Sequence, residues 1–417
     1  PFAGTPAYKA GLRPGDVIIA VDAKATDNMS VSDVADLLKG PKGTNVHISI
    51  LREAAEKPLE FNVIRDEIPR NSVDLKFMVR PGIGYMHVSA FNETTEQEVE
   101  DALQSFGDLK GLILDLRGNP GGLLNEGVGV ADKFLKKGQV IVSHRGRSSP
   151  EKMYKAAHGN GGKDYPLVVL VNRGTASAAE IVSGAIQDHD RGLIVGEVTF
   201  GKGLVQTVYP LSENTGLALT TAKYYTPSGR LIQRDYNGVS LYDYYYSREQ
   251  EDNPNNNANT NSTSKEVKLT DSGRTMFGGG GITPDVKVKP FKTTHFEDSL
   301  LVKYAFFNFA KHYLANRHVD KNFEVTDAVM QEFRKFLDSQ KIPYTEADLN
   351  EGSDYIKSSI KTELFISEFG QEEGLRVRAE NDPQVIAALN ELPKAKELAE
   401  NARKIVAQRA AAQQSNR

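Results

Sequence analysis

An α/β fold with largely parallel strands is what this 417-residue sequence predicts for its middle, with a strand-and-helix module before it and an all-helical region after it. Three observations carry that reading. Unbroken apolar runs at residues 111–116, 167–171 and 193–195 have the character of strands covered on both faces. Polar and small-residue helical stretches lie between them, the alternation that builds βαβ units. From Phe296 onward the apolar residues recur at helical spacing, first Leu300, Leu301, Tyr304, Phe307, Phe309 and Leu314, then Leu349, Ile356, Ile360 and Leu364.

Composition removes several function classes. Lys and Arg number 51 against 55 Asp and Glu, a net charge of −4, so no basic excess points to nucleic acid as a partner. The absence of Cys excludes disulfides, thiolate metal sites and a Cys nucleophile together, and says little about redox compartment. No HExxH-type histidine pair is present, so no metal and no other cofactor is expected. No apolar run approaches the roughly 18 residues that a membrane-spanning helix needs. Pro1 reads as beginning inside a domain, so the lack of a signal sequence excludes nothing.

Residues 1–66 read as one small domain. The turn Gly11-Leu12-Arg13-Pro14-Gly15-Asp16 feeds a strand at Val17–Val21, and Ser30 is placed to cap a helix with Val31, Val34, Leu37 and Leu38 on one face. A second strand follows from Val46 to Leu51, with Ile48 and Ile50 on one side. Residues 67–82 are a connection, and 83–292 form the α/β core. Within the core, the Asn-rich run after the tyrosine cluster Tyr242 and Tyr244–Tyr246 cannot bury enough apolar surface to fold, so about 236–276 reads as a disordered insertion. Residues 293–410 form the helical domain, with Pro343, Pro383 and Pro393 separating its helices.

The chemistry concentrates in residues 166–206. The strand at 167–171 turns through Asn172-Arg173-Gly174 into a small-residue helix, which puts Ser177 at a helix N-terminus beside free backbone N–H groups. Lys202 stands between Gly201 and Gly203, and Gln206 follows four residues later. A serine, a lysine and an amide can serve as nucleophile, base and orienting group, because a neutral amine can take the serine proton. A lysine in water is protonated near neutrality, so such a base needs burial. Gly201 and Gly203, having no side chains, read as letting the backbone carry Lys202 into a confined site.

Two other readings compete. Gly196–Gly203 has the glycine and lysine spacing of a phosphate-binding loop, but Gly203 stands where Mg²⁺ needs a Ser or Thr, and a β-favouring run follows where a helix is required. His189 is a possible histidine base, although Asp188-His189-Asp190-Arg191 reads more simply as a solvated helix end. Gly121 and Gly122, at the end of the strand 111–116, leave backbone N–H groups open and supply half of an oxyanion hole on one reading, a tight strand-to-helix turn on the other.

Taken in order, DLRGNPGG (115–122), VLVNRGTASAAEI (169–181), GEVTFGKGLVQ (196–206) and YYTPSGRLIQ (224–233) resemble the signatures of the C-terminal processing peptidases, or tail-specific proteases. The first 52 residues, with Thr5-Pro6-Ala7 and the GLRPGD turn, resemble about two-thirds of a bacterial PDZ domain whose carboxylate-binding strand would lie upstream. With GITPDV (281–286) the likeness covers roughly residues 1–290. It implies a serine endopeptidase on a crotonase-like core. Ser177 is then the nucleophile, Lys202 the general base and Gln206 its orienting residue, with the N–H groups of Ala178 and of Gly121 or Gly122 binding the oxyanion. It also implies protein or peptide substrates with apolar C-terminal tails captured by the PDZ domain, a periplasmic or envelope location, and an open question of homo-oligomer formation. The turn departs from many relatives in carrying Thr175 in its run of small residues. A catalytically silent PDZ scaffold is the alternative, in which Ser177 or Lys202 would be expected to be lost; both are kept, with Gln206.

Overall fold

The computed structural model describes residue 1 and residues 4–53, 55–68, 70–235, 240 and 267–415, in two compact units. One unit comprises Pro1–Arg70 with Phe291–Asp382, the other Asn71–Pro290 with Pro383–Arg417.

In the first unit a short α1 (Pro6–Lys9) precedes an antiparallel sheet of order β2-β1-β3-β4, built from β1 (Val17–Val21), β2 (Lys24–Ala25), β3 (Asn45–Leu51) and β4 (Leu59–Ile64). Alternation along β3 sends Val46, Ile48 and Ile50 into a core shared with Val21 and Val63. Helix α2 (Val31–Leu38) is capped by Ser30 as its sequence predicts: the Ser30 N–H donates to Asp33 Oδ2 at 3.0 Å and the Asp33 N–H to Ser30 Oγ at 3.2 Å. Val34, Leu37 and Leu38 pack on the sheet, whereas Val31, in the first turn, is 89% exposed.

The second unit is organised by a six-stranded sheet of order β16-β11-β10-β7-β6-β5. Its strands are β5 (Val73–Arg80), β6 (Ile83–Val88), β7 (Gly111–Asp115), β10 (Leu167–Val171), β11 (Leu193–Gly196) and β16 (Val286–Lys287). All pairs are parallel except β5 with β6 at the edge. Helices α3 (Thr95–Ser105), α4 (Leu124–Asp132) and α5 (Ala178–Asp188) pack on the face made by Leu112, Leu114, Leu167, Val169, Val171 and Ile194. A second, antiparallel sheet has the order β12-β13-β8-β9, from β8 (Val140–Gly146), β9 (Ser149–Lys155), β12 (Leu204–Pro210) and β13 (Gly216–Tyr225). Strand β12 begins at Leu204, two residues after Lys202, where a phosphate-binding loop would need a helix. A hairpin of β14 (Val267–Leu269) and β15 (Thr275–Phe277) occupies the last part of the stretch expected to be a disordered insertion; its tyrosine cluster and Asn-rich run lie outside the described residues.

The helices of residues 293–410 divide between the two units. Helices α6 (His295–Val302), α7 (Ala305–Leu314), α8 (Asp327–Ser339), α9 (Glu346–Glu351), α10 (Ser353–Phe369) and α11 (Gln371–Glu380) belong to the first unit. Tyr304, with φ of +52°, breaks α6 from α7 and shifts the helical phase. The buried face therefore runs through Leu300, Phe306 and Phe309, leaving Leu301 and Tyr304 exposed. The last helix, α12 (Pro383–Ser415), belongs to the second unit and lies on the other face of the six-stranded sheet. A Cβ added to Gly111 would meet Leu392 at 3.3 Å. Pro393 sits inside this helix rather than between two. Among the described residues no helix is long and apolar enough to cross a membrane.

Candidate active site

Strand β10 ends at Val171, and six residues later the chain enters α5 at Ser177, whose backbone has φ of +54° and ψ of −115°. A side chain other than glycine pays about 1–3 kcal/mol for such a conformation, which thrusts the serine out of a sharp strand-to-helix turn. Three tethers hold it there. The buried Thr175 hydroxyl donates to the Leu116 carbonyl at 2.8 Å, the Ala176 N–H donates to the Asn119 carbonyl at 2.9 Å, and the Ser177 N–H donates to Glu180 Oε2 at 2.9 Å. Thr175, the departure from the commoner small residues, thus earns its place by a buried hydrogen bond.

Glu180 is fully buried and gathers both halves of the site. Its Oε2 also accepts from the Lys202 N–H at 2.8 Å, while Oε1 accepts from the Gly201 N–H at 2.7 Å and the Thr199 hydroxyl at 2.5 Å. Burial raises its carboxyl above the ordinary value, opposed by these four donors. The sequence reading missed this residue. The Ser-x-x-Glu spacing of a capping box was the available signal, and the donation from the Ser177 N–H to Glu180 is half of that device.

Opposite the serine turn lies the glycine loop. A Cβ on Gly121 would fall 2.6 Å from Ser177 Cβ and 2.9 Å from Ala178 N, and one on Gly122 would fall 2.1 Å from the Phe91 carbonyl oxygen, so only glycine fits at either position. Of the two candidate donors, the Gly121 N–H is already given to Asn119 Oδ1 at 2.8 Å. No hydrogen bond of the Gly122 or Ala178 N–H is seen among the described residues. Asn119, another residue missed in the sequence, is wholly buried and anchors the loop by donating from Nδ2 to the Val88 carbonyl at 2.8 Å.

Residues 82–240 match the family described as Peptidase family S41, residues 3–52 match a PDZ domain, and residues 296–347 match the description "Probable PDZ-protease, C-terminal helical domain". The match places residues 82–240 in peptidase family S41. Over 240 residues this chain is 44% identical to a carboxy-terminal-processing protease of Bartonella bacilliformis, covering 56% of the chain and 55% of that protein. A carboxyl-terminal-processing protease of a Synechocystis species is 43% identical over 239 residues, 56% of each. The chain therefore spans little more than half the length of these curated relatives. A solved photosystem II D1 C-terminal processing protease aligns at 32% identity over 69% of this chain and 67% of its own, with a TM-score of 0.38.

In this S41 site the backbones of Ser177 and Lys202 meet on one carboxylate, but their side chains do not hydrogen-bond to each other, and no side-chain hydrogen bond of Gln206 is seen among the described residues. Lys202 and Gln206 are exposed. The expected burial of Lys202 fails for a steric reason. A Cβ on Gly203 would lie 2.5 Å from Gln233 N and one on Gly201 2.9 Å from Arg234 Cβ. The glycines are there because the loop backbone packs against residues 232–234; the side chain between them faces the other way, to solvent. His189, the competing base, stands at the far end of the 11-residue α5, about 18 Å along the axis from Ser177. Its Nδ1 faces Asp271 Oδ2 and its Nε2 the Val140 carbonyl, both at 2.7 Å, so both nitrogens are already engaged. Among the described residues no group of three or more His, Asp or Glu is placed to hold a metal.

Behind the glycine loop, His87 Nδ1 lies 2.5 Å from Asp74 Oδ1 and Nε2 lies 3.1 Å from the Arg117 carbonyl. Burial favours the neutral ring, but the Asp74 hydrogen bond and the charges of Asp115 and Asp74 outweigh it and raise the pKa to about 8. A pKa raised on folding contributes stability that is fully present below the unfolded value of 6.5 and is lost as pH climbs through about 8. The difference corresponds to about 2 kcal/mol. Unfolding free energy measured by denaturant titration is expected to fall by up to about that amount from pH 6.5 to pH 9, and His87→Gln is expected to remove this part of the fall. An unchanged pH dependence in His87→Gln would refute the assignment.

Proposed function

We propose that this chain is a serine endopeptidase that cuts proteins at or near their C-termini. In this reading Ser177 attacks the scissile carbonyl, Lys202 takes its proton and returns it to the leaving amine, and Gln206 orients the lysine. The Ala178 and Gly122 N–H groups receive the oxyanion, the core is crotonase-like, and the PDZ segment recognises apolar C-terminal tails in the bacterial periplasm or envelope.

One observation carries the proposal: the single carboxylate of Glu180 ties the turn bearing Ser177 to the loop bearing Lys202, with four donors drawn from both. No packing requirement of a silent scaffold calls for fastening a strained serine turn to a lysine loop in this way. Because Lys202 faces solvent, the desolvation that a lysine base needs comes from the substrate chain as it settles over the site and displaces water.

The test is cleavage of an unfolded reporter protein with and without an apolar C-terminal tail, with products mapped by mass spectrometry. The tailed reporter is expected to be cut faster, near its C-terminus. Tail binding with no cleavage would identify a scaffold instead.

A further inference from the structure

We infer that α12 does more than cover the sheet: its Gln384 is a positioning residue for the glycine loop that faces Ser177. This rests on the peptidase reading above. Gln384 is 3% exposed and uses both ends of its amide. Its Oε1 accepts from Arg117 Nη1 at 2.8 Å, across 267 residues of sequence, and its Nε2 donates to the Val288 carbonyl at 2.8 Å. Pro383 opens the helix with a fixed φ, and the Val288 N–H bonds the Gly196 carbonyl at 3.0 Å, so the amide is braced from the helix and from the sheet.

What Gln384 steadies is the start of the catalytic turn. The Arg117 guanidinium is held by Asp115, which also receives the Tyr85 hydroxyl at 2.7 Å, and the Arg117 carbonyl faces His87. The next residue, Gly118, donates its N–H to Asn172 Oδ1 at 2.8 Å, at the base of the serine turn. Three residues further on is Gly121, with no room for a methyl group between it and Ser177. Arg117 is therefore the point where the last helix, the buried carboxylate and the oxyanion loop meet. A loop displaced here moves the Gly122 N–H relative to Ser177, and an error of about 1 Å in such a site costs about 100-fold.

The test uses the full chain and the unfolded reporter. Gln384→Leu keeps the volume and removes both hydrogen bonds; Gln384→Glu keeps an acceptor for Arg117. The expected result for Gln384→Leu is a kcat lower by about 10- to 100-fold with KM within about twofold, and slower labelling of Ser177 by a fluorophosphonate probe. Gln384→Glu, which keeps the Arg117 contact but sets an acceptor against the Val288 carbonyl, is expected to recover kcat to at least about threefold above Gln384→Leu. Should the leucine variant not fold, Gln384→Asn, which draws the amide back by one methylene, carries the same expectation. A kcat within about twofold of wild type in the variant tested overturns the inference, as does a loss of kcat matched by a rise in KM with no recovery in Gln384→Glu. A wild-type chain that neither cleaves nor takes the probe overturns the peptidase reading itself.

Discussion

Ser177→Ala and Lys202→Ala are each expected to abolish cleavage, a loss of about 10⁴-fold or more in kcat/KM, while the melting temperature stays within a few degrees of wild type. The two effects separate because neither side chain holds the fold: Lys202 is exposed, and Ser177 is one small hydroxyl at the start of a buried helix. The Ser177 tether to Glu180 runs through the backbone, which alanine keeps. Gln206→Ala should lose less, since in the proposed mechanism it only orients the base. His189→Asn should leave the rate near wild type, its ring being committed to Asp271 and Val140. Reporter cleavage kinetics decide the matter. Wild-type rates in Lys202→Ala would refute the dyad.

Glu180→Gln is expected to lower kcat by at least about 100-fold although it changes a single atom. Each Glu180 oxygen accepts two donors, so either orientation of a glutamine turns its NH₂ toward backbone N–H groups that can only donate: those of Ser177 and Lys202 in one, that of Gly201 in the other, where the Thr199 hydroxyl must also turn from donor to acceptor. The repulsion separates the serine turn from the lysine loop, and misplacement on that scale costs about 100-fold. Glu180→Ala should add a folding defect of about 3–5 kcal/mol, because it strands several buried donors at once. The measurements are reporter kinetics for the glutamine variant and denaturant unfolding for the alanine variant. Near wild-type kcat in Glu180→Gln would show that the carboxylate does not hold the site together.

The strands were legible wherever burial leaves a one-dimensional trace. Leu167–Val171 forms β10 as its apolar run predicts, and Ser30 caps α2 as its position before an amphipathic stretch predicts. The runs also announced that both sheet faces are covered, but not by what. The partner of Gly111 is Leu392, and no local pattern links residues so far apart. Pro393 was read as a break because isolated helices do not tolerate proline, whereas a helix packed along a sheet can. In the site, Ser177 and the glycine loop could be found because strand-to-helix turns have local signatures. The direction of Lys202 could not, since glycines admit either a buried or an exposed neighbour, and only the packing of residues 232–234 decides between them.

The placement of α12 also bears on how this molecule comes into being. Strands β7, β10 and β11 are complete by Gly196, yet the helix that covers their second face starts at Pro383. At ordinary rates of translation, about 5–20 residues per second, these strands wait roughly ten to forty seconds with Ile113, Val168, Leu170 and Val195 uncovered. That interval leaves apolar surface of the nascent chain open to aggregation. It also delays the bracing of Arg117 until Gln384 has been made.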